Sequence, residues 1–275
     1  MEDILMKPYE GLYLYVDMDG TLLNDDKKIT QGNLDAMDRF IEGGGRVGIA
    51  SGRSPHNIDY YRSLFNVNAP CILFNGSAIY DFETKQYLYK APLDKDLVRP
   101  VIDIGVAMEP DVCVQIFTEK AIYETNPNQI GDPYLAYEWF PRTAATPEEI
   151  TEPWLKMLFC DADGDKLDRI QNAIDPTPFL ARGLTVERSG REYFEFLPSN
   201  KGLAMRKLCE VIPGVKKTLA IGDYGNDLAM IQMADLSAAP ANATDAVKAA
   251  AHLHVVDNNH DAVADFLRIA VFEAE

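Results

Sequence analysis

The stretch "YLYVDMDGTLL", residues 13–23, places an apolar run directly before two acids, Asp17 and Asp19, that stand two positions apart. The run at 12–16 is rich in aromatic and β-branched residues, which is typical of a buried β-strand. Acids that follow such a strand either belong to a turn or lie at the edge of a sheet where ligands bind. The rest of the sequence decides between these two interpretations.

Strand-like and helical segments alternate on both sides of this stretch. A helical pattern begins after Thr30, a candidate N-cap, and residues 46–50 form a second apolar run. The order repeats at 70–75, and near the other end of the chain at 218–221. Alternating strands and helices of this length predict an α/β fold, with a Rossmann-like parallel sheet that carries helices on both faces.

Residues 85–190 have a different pattern, in which short strand-like runs and two helical segments are punctuated by prolines. This pattern is typical of a smaller α+β domain. We therefore expect a core formed by residues 1–84 and 191–275, with residues 85–190 inserted into it as a separate domain.

Composition excludes several classes of partner. The chain has 275 residues, 47% of them hydrophobic, and a formal charge of -17, so its average surface repels nucleic acid and anionic lipid. Its start does not resemble a secretory leader, and no apolar run reaches membrane-spanning length. The four cysteines form no C-x-x-C pair. We expect a soluble cytoplasmic protein with reduced core cysteines and with neither nucleic acid nor membrane as a partner.

Polar residues follow several of the expected strands. Asp17 and Asp19 follow the first, Ser51 the second and Asp223 the late one, and the carboxyl ends of parallel strands line the ligand crevice of such sheets. A carboxylate at this position can attack a phosphoryl group and form an aspartyl-phosphate, which is the role we expect for Asp17. A second acid two residues later, Asp19, can act as general acid and base.

The stretch "IGDYGNDLAM" adds the acids Asp223 and Asp227, and together with Asp17 they form a candidate Mg²⁺ site. An alternative interpretation of this stretch is a helix cap. Lys201 lies at the expected start of another helix, a favourable place for an anion, although Lys207 and Lys216 are nearby.

These residues fall into four segments, "DMDGT", "ASGR", "NKG" and "GDYGND", in this order. The set resembles the four motifs of the haloacid dehalogenase superfamily, and the layout resembles its Cof-type phosphatases. In that family a cap domain of the C2 type is inserted between the second and third motifs. The inserted domain expected at 85–190 has the same position.

The resemblance implies a role for each matching residue. Asp17 would be the nucleophile and Asp19 the acid and base, with the backbone carbonyl of Asp19 as a further Mg²⁺ ligand. Asp223 would bind Mg²⁺, with support from Asp227. The residues expected to hold the substrate phosphate are Ser51, Gly52, Lys201 and Asn226.

A second acid pair, Asp161 and Asp163, also follows an apolar run and serves as a comparison. It lacks the following Thr and lies in the insert. The alternation of Asp161, Asp163 and Asp165 is similar to a calcium loop, but the Gly and Glu that an EF-hand requires are absent. We expect this pair to be a solvated turn.

The sequence therefore predicts a Mg²⁺-dependent phosphatase of small phosphorylated metabolites, with its specificity in the insert. Two alternatives stay open: a phosphomutase with the same two acids, and a non-catalytic protein that binds a phosphorylated metabolite. Oligomeric state is not predicted. The charged candidates to face the cleft from the insert are Arg142, Glu187, Arg188, Arg191 and Glu192.

Overall fold

The structure is a computed structural model that describes residues 7–126 and 141–273. Within these residues the strands form a five-stranded, a six-stranded and a three-stranded sheet. In chain order the strands are β1 (Leu12–Val16), β2 (Arg46–Ile49), β3 (Cys71–Leu73), β4 (Ala78–Asp81), β5 (Gln86–Lys90), β6 (Cys113–Phe117), β7 (Ile122–Glu124), β8 (Arg142–Ala144), β9 (Lys156–Cys160), β10 (Thr185–Gly190), β11 (Tyr193–Leu197), β12 (Lys217–Ile221), β13 (Leu236–Pro240) and β14 (Leu253–Val255).

Among the described residues, helices alternate with the strands of the core, and three further helices lie in the insert. They are α1 (Gln31–Glu42), α2 (Pro55–Tyr61), α3 (Lys95–Met108), α4 (Gly164–Ala173), α5 (Thr177–Leu180), α6 (Lys201–Val211), α7 (Leu228–Met233), α8 (Asp245–Ala250) and α9 (Ala262–Leu267). Ser54, Asp94 and Asn200 cap α2, α3 and α6, because each side chain accepts a hydrogen bond from the backbone N–H three residues later. Local capping chemistry therefore determines where these helices begin.

The five-stranded sheet is the core of the molecule. Its order is β14-β13-β12-β1-β2, and every neighbouring pair is parallel. Leu14 and Val16 of β1 pack with residues of α1 and α9, whereas Tyr13 and Tyr15 pack with residues of α6, α7 and α8. Helices therefore cover both faces, and the predicted Rossmann-like α/β core is confirmed.

The apolar run at 70–75 differs from the expectation of a further parallel strand. Its central part is β3, which pairs antiparallel with β4 in the three-stranded sheet β3-β4-β5. A single parallel bridge between Ala50 and Ile72 joins it to the end of β2. The chain reverses directly after Gly76, so β3 forms its main ladder with the strand that follows it.

Among the described residues, the insert contains a six-stranded sheet of order β10-β11-β9-β6-β7-β8, in which β7 and β8 pair in parallel and the other neighbours pair antiparallel. Apolar residues of α3, α4 and α5 pack on one face of this sheet. The opposite face carries Gln115, Phe117, Lys156 and Glu195, which point toward the core and line a cavity there. The insert is therefore an α+β unit with one packed face and one face over the parallel sheet.

Hydrogen bonding in the sheets bears on where the insert begins and ends. Residues 86–90 pair with β4, on the core side, whereas residues 193–197 pair with β9 and β10 of the insert sheet. A boundary between 190 and 191 would cut the ladder between β10 and β11. We therefore propose that the insert runs from about residue 91 to about residue 198.

The structure bears on two expectations from composition, one about the cysteines and one about membrane-spanning segments. Cys71, Cys113 and Cys160 are buried free thiols, but Cys209 on α6 is exposed, so the expectation of a core position is wrong for that residue. Among the described residues, no helix combines the length and the apolar character that crossing a membrane requires.

Gly76 allows a close contact that positions α6. Its φ is +99°, and a Cβ at this position would lie 2.2 Å from the backbone carbonyl of Asn200, directly before α6. We expect Gly76→Ala to lower the free energy of unfolding by about 2–5 kcal/mol, because positive-φ strain and a clash with backbone atoms add. Urea denaturation followed by circular dichroism measures the change.

Gly183→Ala is the matched control, because Gly183 also has a positive φ, of +77°, but a Cβ there would meet nothing within 4 Å. We expect this control to lose about 1–2 kcal/mol from strain alone. Equal losses in the two variants would contradict the importance of the contact with α6.

Candidate active site

Asp17 lies at the point where β1 ends. Its backbone N–H continues the parallel ladder by donating to the carbonyl oxygen of Ile221, at 3.0 Å. The side chain is buried, with 6% of the residue exposed, and Oδ1 accepts a hydrogen bond from Lys201 Nζ at 2.7 Å. A carboxylate at the end of a central strand is thereby held in a single position.

Lys201 is the first residue of α6, as expected, but its ammonium group does not face open space. Nζ lies 2.7 Å from Asp17 Oδ1 and 2.6 Å from Asp227 Oδ1, and the side chain is completely buried. A buried ammonium between two carboxylates stabilises their negative charge. Contact between Lys201 and a substrate phosphate remains a prediction.

Three carboxylates converge beside this ammonium. Asp17, Asp223 and Asp227 each offer an oxygen, and these oxygens lie within 4.8 Å of one another. Asp227 Oδ2 accepts hydrogen bonds from the backbone N–H groups of Asp223 and Tyr224, at 3.0 and 3.1 Å, which orders the loop. The donor set is carboxylate oxygen, which suits a hard divalent cation.

Asp223 is positioned from the loop after β1. The Thr21 hydroxyl donates to Asp223 Oδ1 at 2.8 Å. A Cβ at Gly20, where φ is +83°, would lie 2.5 Å from Asp223 Oδ2, so a larger residue there would displace this carboxylate. The Gly and Thr behind the first acid pair therefore position the third acid.

The crowding of carboxylates shifts their protonation. Burial, and then the charge of Asp227, raise the pKa of Asp17 well above its ordinary value, while Lys201 opposes the shift. Burial and Asp227 also raise the pKa of Asp223 to about 7. Both pKa values rise because burial removes water from carboxylates of like charge. A bound cation would lower both pKa values again.

Asp19 has a different environment from Asp17. Its carboxylate accepts hydrogen bonds from Arg53 Nε and Lys27 Nζ, each at 2.9 Å. Partial burial opposes ionisation, but the charges of Arg53 and Lys27 outweigh it and lower the pKa of Asp19. Its side chain lies outside the acidic cluster, so a metal contact through its backbone carbonyl remains a prediction.

Ser51 and Gly52, at the end of β2, line the same cavity as Asp17 and Asp19. The Ser51 N–H donates to the carbonyl oxygen of Ile72 at 2.8 Å, and its hydroxyl accepts from the N–H of Arg53 at 3.2 Å. Asn226 also lines the cavity. The structure thus brings the expected phosphate-binding residues together, apart from the buried Lys201.

Several cavity residues are not identified from the sequence. Asn75 is buried in a left-handed conformation, with φ of +53°, and its side chain accepts from Asn226 Nδ2 at 3.1 Å and donates to Glu195 Oε2 at 2.8 Å. The stretch "FNG" contains the signal that was available, because Asn and Gly favour such conformations. The charged cavity residues missed are Lys27, Arg53, Lys156 and Glu195.

Of the charged residues proposed to face the cleft from the insert, Glu192 lines the cavity. Glu187 pairs across the strands with Glu195. The three arginines instead bind carboxylates of the insert, in the pairs Arg142–Glu124, Arg188–Asp168 and Arg191–Asp165. The positions of these residues in the sequence therefore did not predict which side chains point into the cavity.

The second acid pair lies outside the cavity. Asp161 is buried and accepts hydrogen bonds from Lys166 Nζ at 3.0 Å and from the N–H of Asp163 at 2.9 Å. Asp163 caps α4. The expectation of a solvated turn is wrong for Asp161, which is a structural ion-paired residue.

A family model described as haloacid dehalogenase-like hydrolase matches residues 14–267. The 5-amino-6-(5-phospho-D-ribitylamino)uracil phosphatase YitU of Bacillus subtilis is 25% identical over 95% of this chain and 97% of its own. The pyridoxal phosphate phosphatase YbhA of Escherichia coli is 24% identical over 92% of this chain and 96% of its own.

A solved structure, that of a haloacid dehalogenase-like hydrolase from Bacteroides thetaiotaomicron, is also similar. It superposes with a TM-score of 0.75 at 27% identity and covers 94% of this chain and 98% of its own. Both the core and the insert fall within the similarity.

Removal of the Lys201 charge tests the buried cluster. We expect Lys201→Met to lower the free energy of unfolding by about 3–5 kcal/mol, because it leaves Asp17 and Asp227 buried without their cation. Lys207→Met on the same helix is the control, since Lys207 forms an exposed ion pair with Glu210. Urea denaturation in EDTA compares the two, and equal stabilities would contradict the importance of the buried pair.

The raised pKa of Asp223 predicts a pH dependence. Because about 7 in the folded chain exceeds roughly 3.9 in the unfolded chain, ionisation of Asp223 lowers stability as the pH rises between these values. We expect Asp223→Asn to gain stability relative to wild type as the pH rises from about 4 to about 7 in EDTA. Urea denaturation across this range measures it.

Asp161→Asn is the control for this pH dependence, because Asp161 is a buried acid that is paired with Lys166 outside the acidic cluster. It should show no such gain. A pH-independent difference between Asp223→Asn and wild type would contradict the assigned environment of Asp223.

Proposed function

This chain belongs to the haloacid dehalogenase-like hydrolases, and on that premise we propose that it is a Mg²⁺-dependent phosphatase of small phosphorylated metabolites that acts through an aspartyl-phosphate on Asp17. The observation that carries the proposal is the position of Asp17. Its carboxylate lies at the wall of a cavity, beside two further acids and one buried ammonium group. This is an arrangement for a nucleophile that must meet an anionic substrate.

Asp17 attacks phosphorus as a carboxylate, so its negative charge must be kept despite burial. Lys201 stabilises that charge through its 2.7 Å contact. Asp17 and Asp223 would hold Mg²⁺, and Asp227 would orient the loop that carries Asp223 through its contacts with two backbone N–H groups. When bound, Mg²⁺ supplies positive charge that neutralises the phosphate and the developing transition state.

Asp19 is the candidate to protonate the leaving oxygen and then to activate water. In this structure Arg53 and Lys27 hold its carboxylate in the ionised form. Both cations also line the cavity, where a substrate phosphate would compete for them. The proposed reaction therefore requires the phosphate to draw these cations away before Asp19 can take up a proton.

The insert supplies the remaining cavity wall. Ser51, Gly52 and Asn226 on the core side would contact the phosphate, and the insert face would contact the leaving group. Two relatives named for hydrolysis of phosphorylated small molecules support this substrate class. Coverage by the insert would also keep bulk water from the bound phosphate, which strengthens electrostatic interactions within the site.

Phosphate release tests the function. We expect wild type to release phosphate from p-nitrophenyl phosphate and from phosphorylated metabolites with Mg²⁺ and not with EDTA. Asp17→Asn should lower kcat at least about a thousandfold, because an amide cannot form the acyl-phosphate. Asp19→Asn should lower it about a hundredfold to ten-thousandfold.

Asp161→Asn is the matched control for both variants, because Asp161 is a buried acid outside the cavity, and it should keep wild-type turnover. Activity that persists in Asp17→Asn would overturn the aspartyl-phosphate. Phosphorylated isomers without free phosphate would identify a phosphomutase instead.

A further inference from the structure

The described residues of the insert that line the cavity include three charged side chains: Lys156, Glu192 and Glu195. The cations Lys27 and Arg53 come from the core side and contact Asp19. Two of the three cations that line the cavity therefore lie at the core end, together with Asp17 and Asp19, whereas the insert end carries two carboxylates and one ammonium group. The core end would therefore hold the phosphate, and the insert end would contact the group to which the phosphate is attached.

Glu195 is fixed in place at the insert end. It is 2% exposed, Oε2 accepts from Asn75 Nδ2 at 2.8 Å, and Oε1 accepts from the Ser189 hydroxyl. Lys156 Nζ lies 3.5 Å from Oε1. A buried carboxylate with this many partners is held ready to accept a further hydrogen bond without reorganisation.

Lys156 is likewise held in place by contacts with neighbouring groups. It is 4% exposed, donates to the carbonyl oxygen of Gly52 at 3.2 Å and lies 4.3 Å above the centre of the Phe117 ring. Its charge therefore lies between the carboxylate of Glu195 and the loop at Ser51 and Gly52. It offsets Glu195 and leaves no spare cation beside Glu192 among the described insert residues that line the cavity.

The pKa of a neighbouring acid, Glu187, is affected by the charge of Glu195. Glu187 lies directly opposite Glu195 on the next strand. Burial, and then the charge of Glu195, raise the pKa of Glu187 to about 8. The charge of Glu195 thus adds to the cost that burial alone imposes on a second carboxylate nearby.

The polar groups around Glu195 suit hydroxyl groups. Asn75, Gln115, Ser189 and Tyr193 line the cavity, and each has atoms that donate and atoms that accept hydrogen bonds. Sugar and polyol hydroxyls have the same dual capacity. The cavity encloses about 210 Å³, below the roughly 300–1,000 Å³ typical of sites for drug-sized ligands, so the leaving group is small.

We propose that Glu195 determines specificity, by accepting hydrogen bonds from an uncharged polyol leaving group and by excluding substrates whose leaving group carries a second anionic group. This inference rests on the phosphatase function proposed above. Lys156 and Asn75 act as positioning residues, because they hold the Glu195 carboxylate at the cavity wall. The substrate class is therefore the monophosphates of small neutral polyols or sugars.

Two substrates of equal chain length test the proposal: glucitol 6-phosphate, which ends in a hydroxymethyl group, and gluconate 6-phosphate, which ends in a carboxylate. We expect wild type to show a kcat/KM at least about tenfold higher for glucitol 6-phosphate, because juxtaposed like charges are costly in a buried site. In Glu195→Gln the ratio should fall at least about fivefold, mainly through a lower KM for gluconate 6-phosphate. Phosphate release at saturating Mg²⁺ measures both.

Glu124→Gln is the matched control, because Glu124 lies on β7 of the same sheet, pairs with Arg142 and is not part of the cavity wall. It should keep the wild-type ratio. Equal turnover of the two substrates by wild type, or an unchanged ratio in Glu195→Gln, would overturn the proposal.

p-Nitrophenyl phosphate separates this proposal from the proposed function. Its leaving group carries no polyol hydroxyls for Glu195 to bind, so its hydrolysis reports the phosphatase chemistry alone, and the control Glu124→Gln should hydrolyse it at close to the wild-type rate. If wild type hydrolyses p-nitrophenyl phosphate but neither test substrate, the phosphatase function stands and the polyol specificity is overturned. If none of the three compounds is hydrolysed, the phosphatase function itself fails.

Discussion

The buried ammonium of Lys201 is the interaction on which the site depends. It joins Asp17 at the end of β1 to Asp227 in the loop after β12, and neither carboxylate has free access to water. Three acids this close would otherwise repel one another in a medium of low dielectric constant. The ammonium makes their convergence tolerable, and the residual negative charge makes the same place attractive to a divalent cation.

The position of that ammonium depends in turn on the packing of α6. The helix begins at Lys201 because Asn200 caps it, and Gly76 allows the chain after β3 to approach the cap closely. The packing of the core, the positive φ of Gly76 and the start of α6 thus together position the Lys201 side chain. A change at Gly76 would affect the site although this residue contacts neither Asp17 nor Asp227 in the network described.

The insert and the core meet through buried polar contacts. Glu195 binds Asn75, and Lys156 reaches the carbonyl oxygen of Gly52, so the insert sheet contacts the loop that follows β2. Such groups are expensive to bury unless they are hydrogen-bonded, and together they specify one arrangement of the two parts. Asn226 completes the connection, because it binds the same Asn75 from the loop that carries Asp227.

The sequence by itself determined the parallel core and the positions of Asp17, Ser51 and Asp223, because each follows an apolar run whose periodicity is local. It did not determine that Asn75 would bind Glu195, 120 positions away, nor that Lys201 would contact carboxylates rather than open space. Hydrophobic periodicity reports which face of an element is buried, whereas the direction of a long polar side chain depends on distant partners. Tertiary packing alone brought those partners together and decided which charges share one cavity.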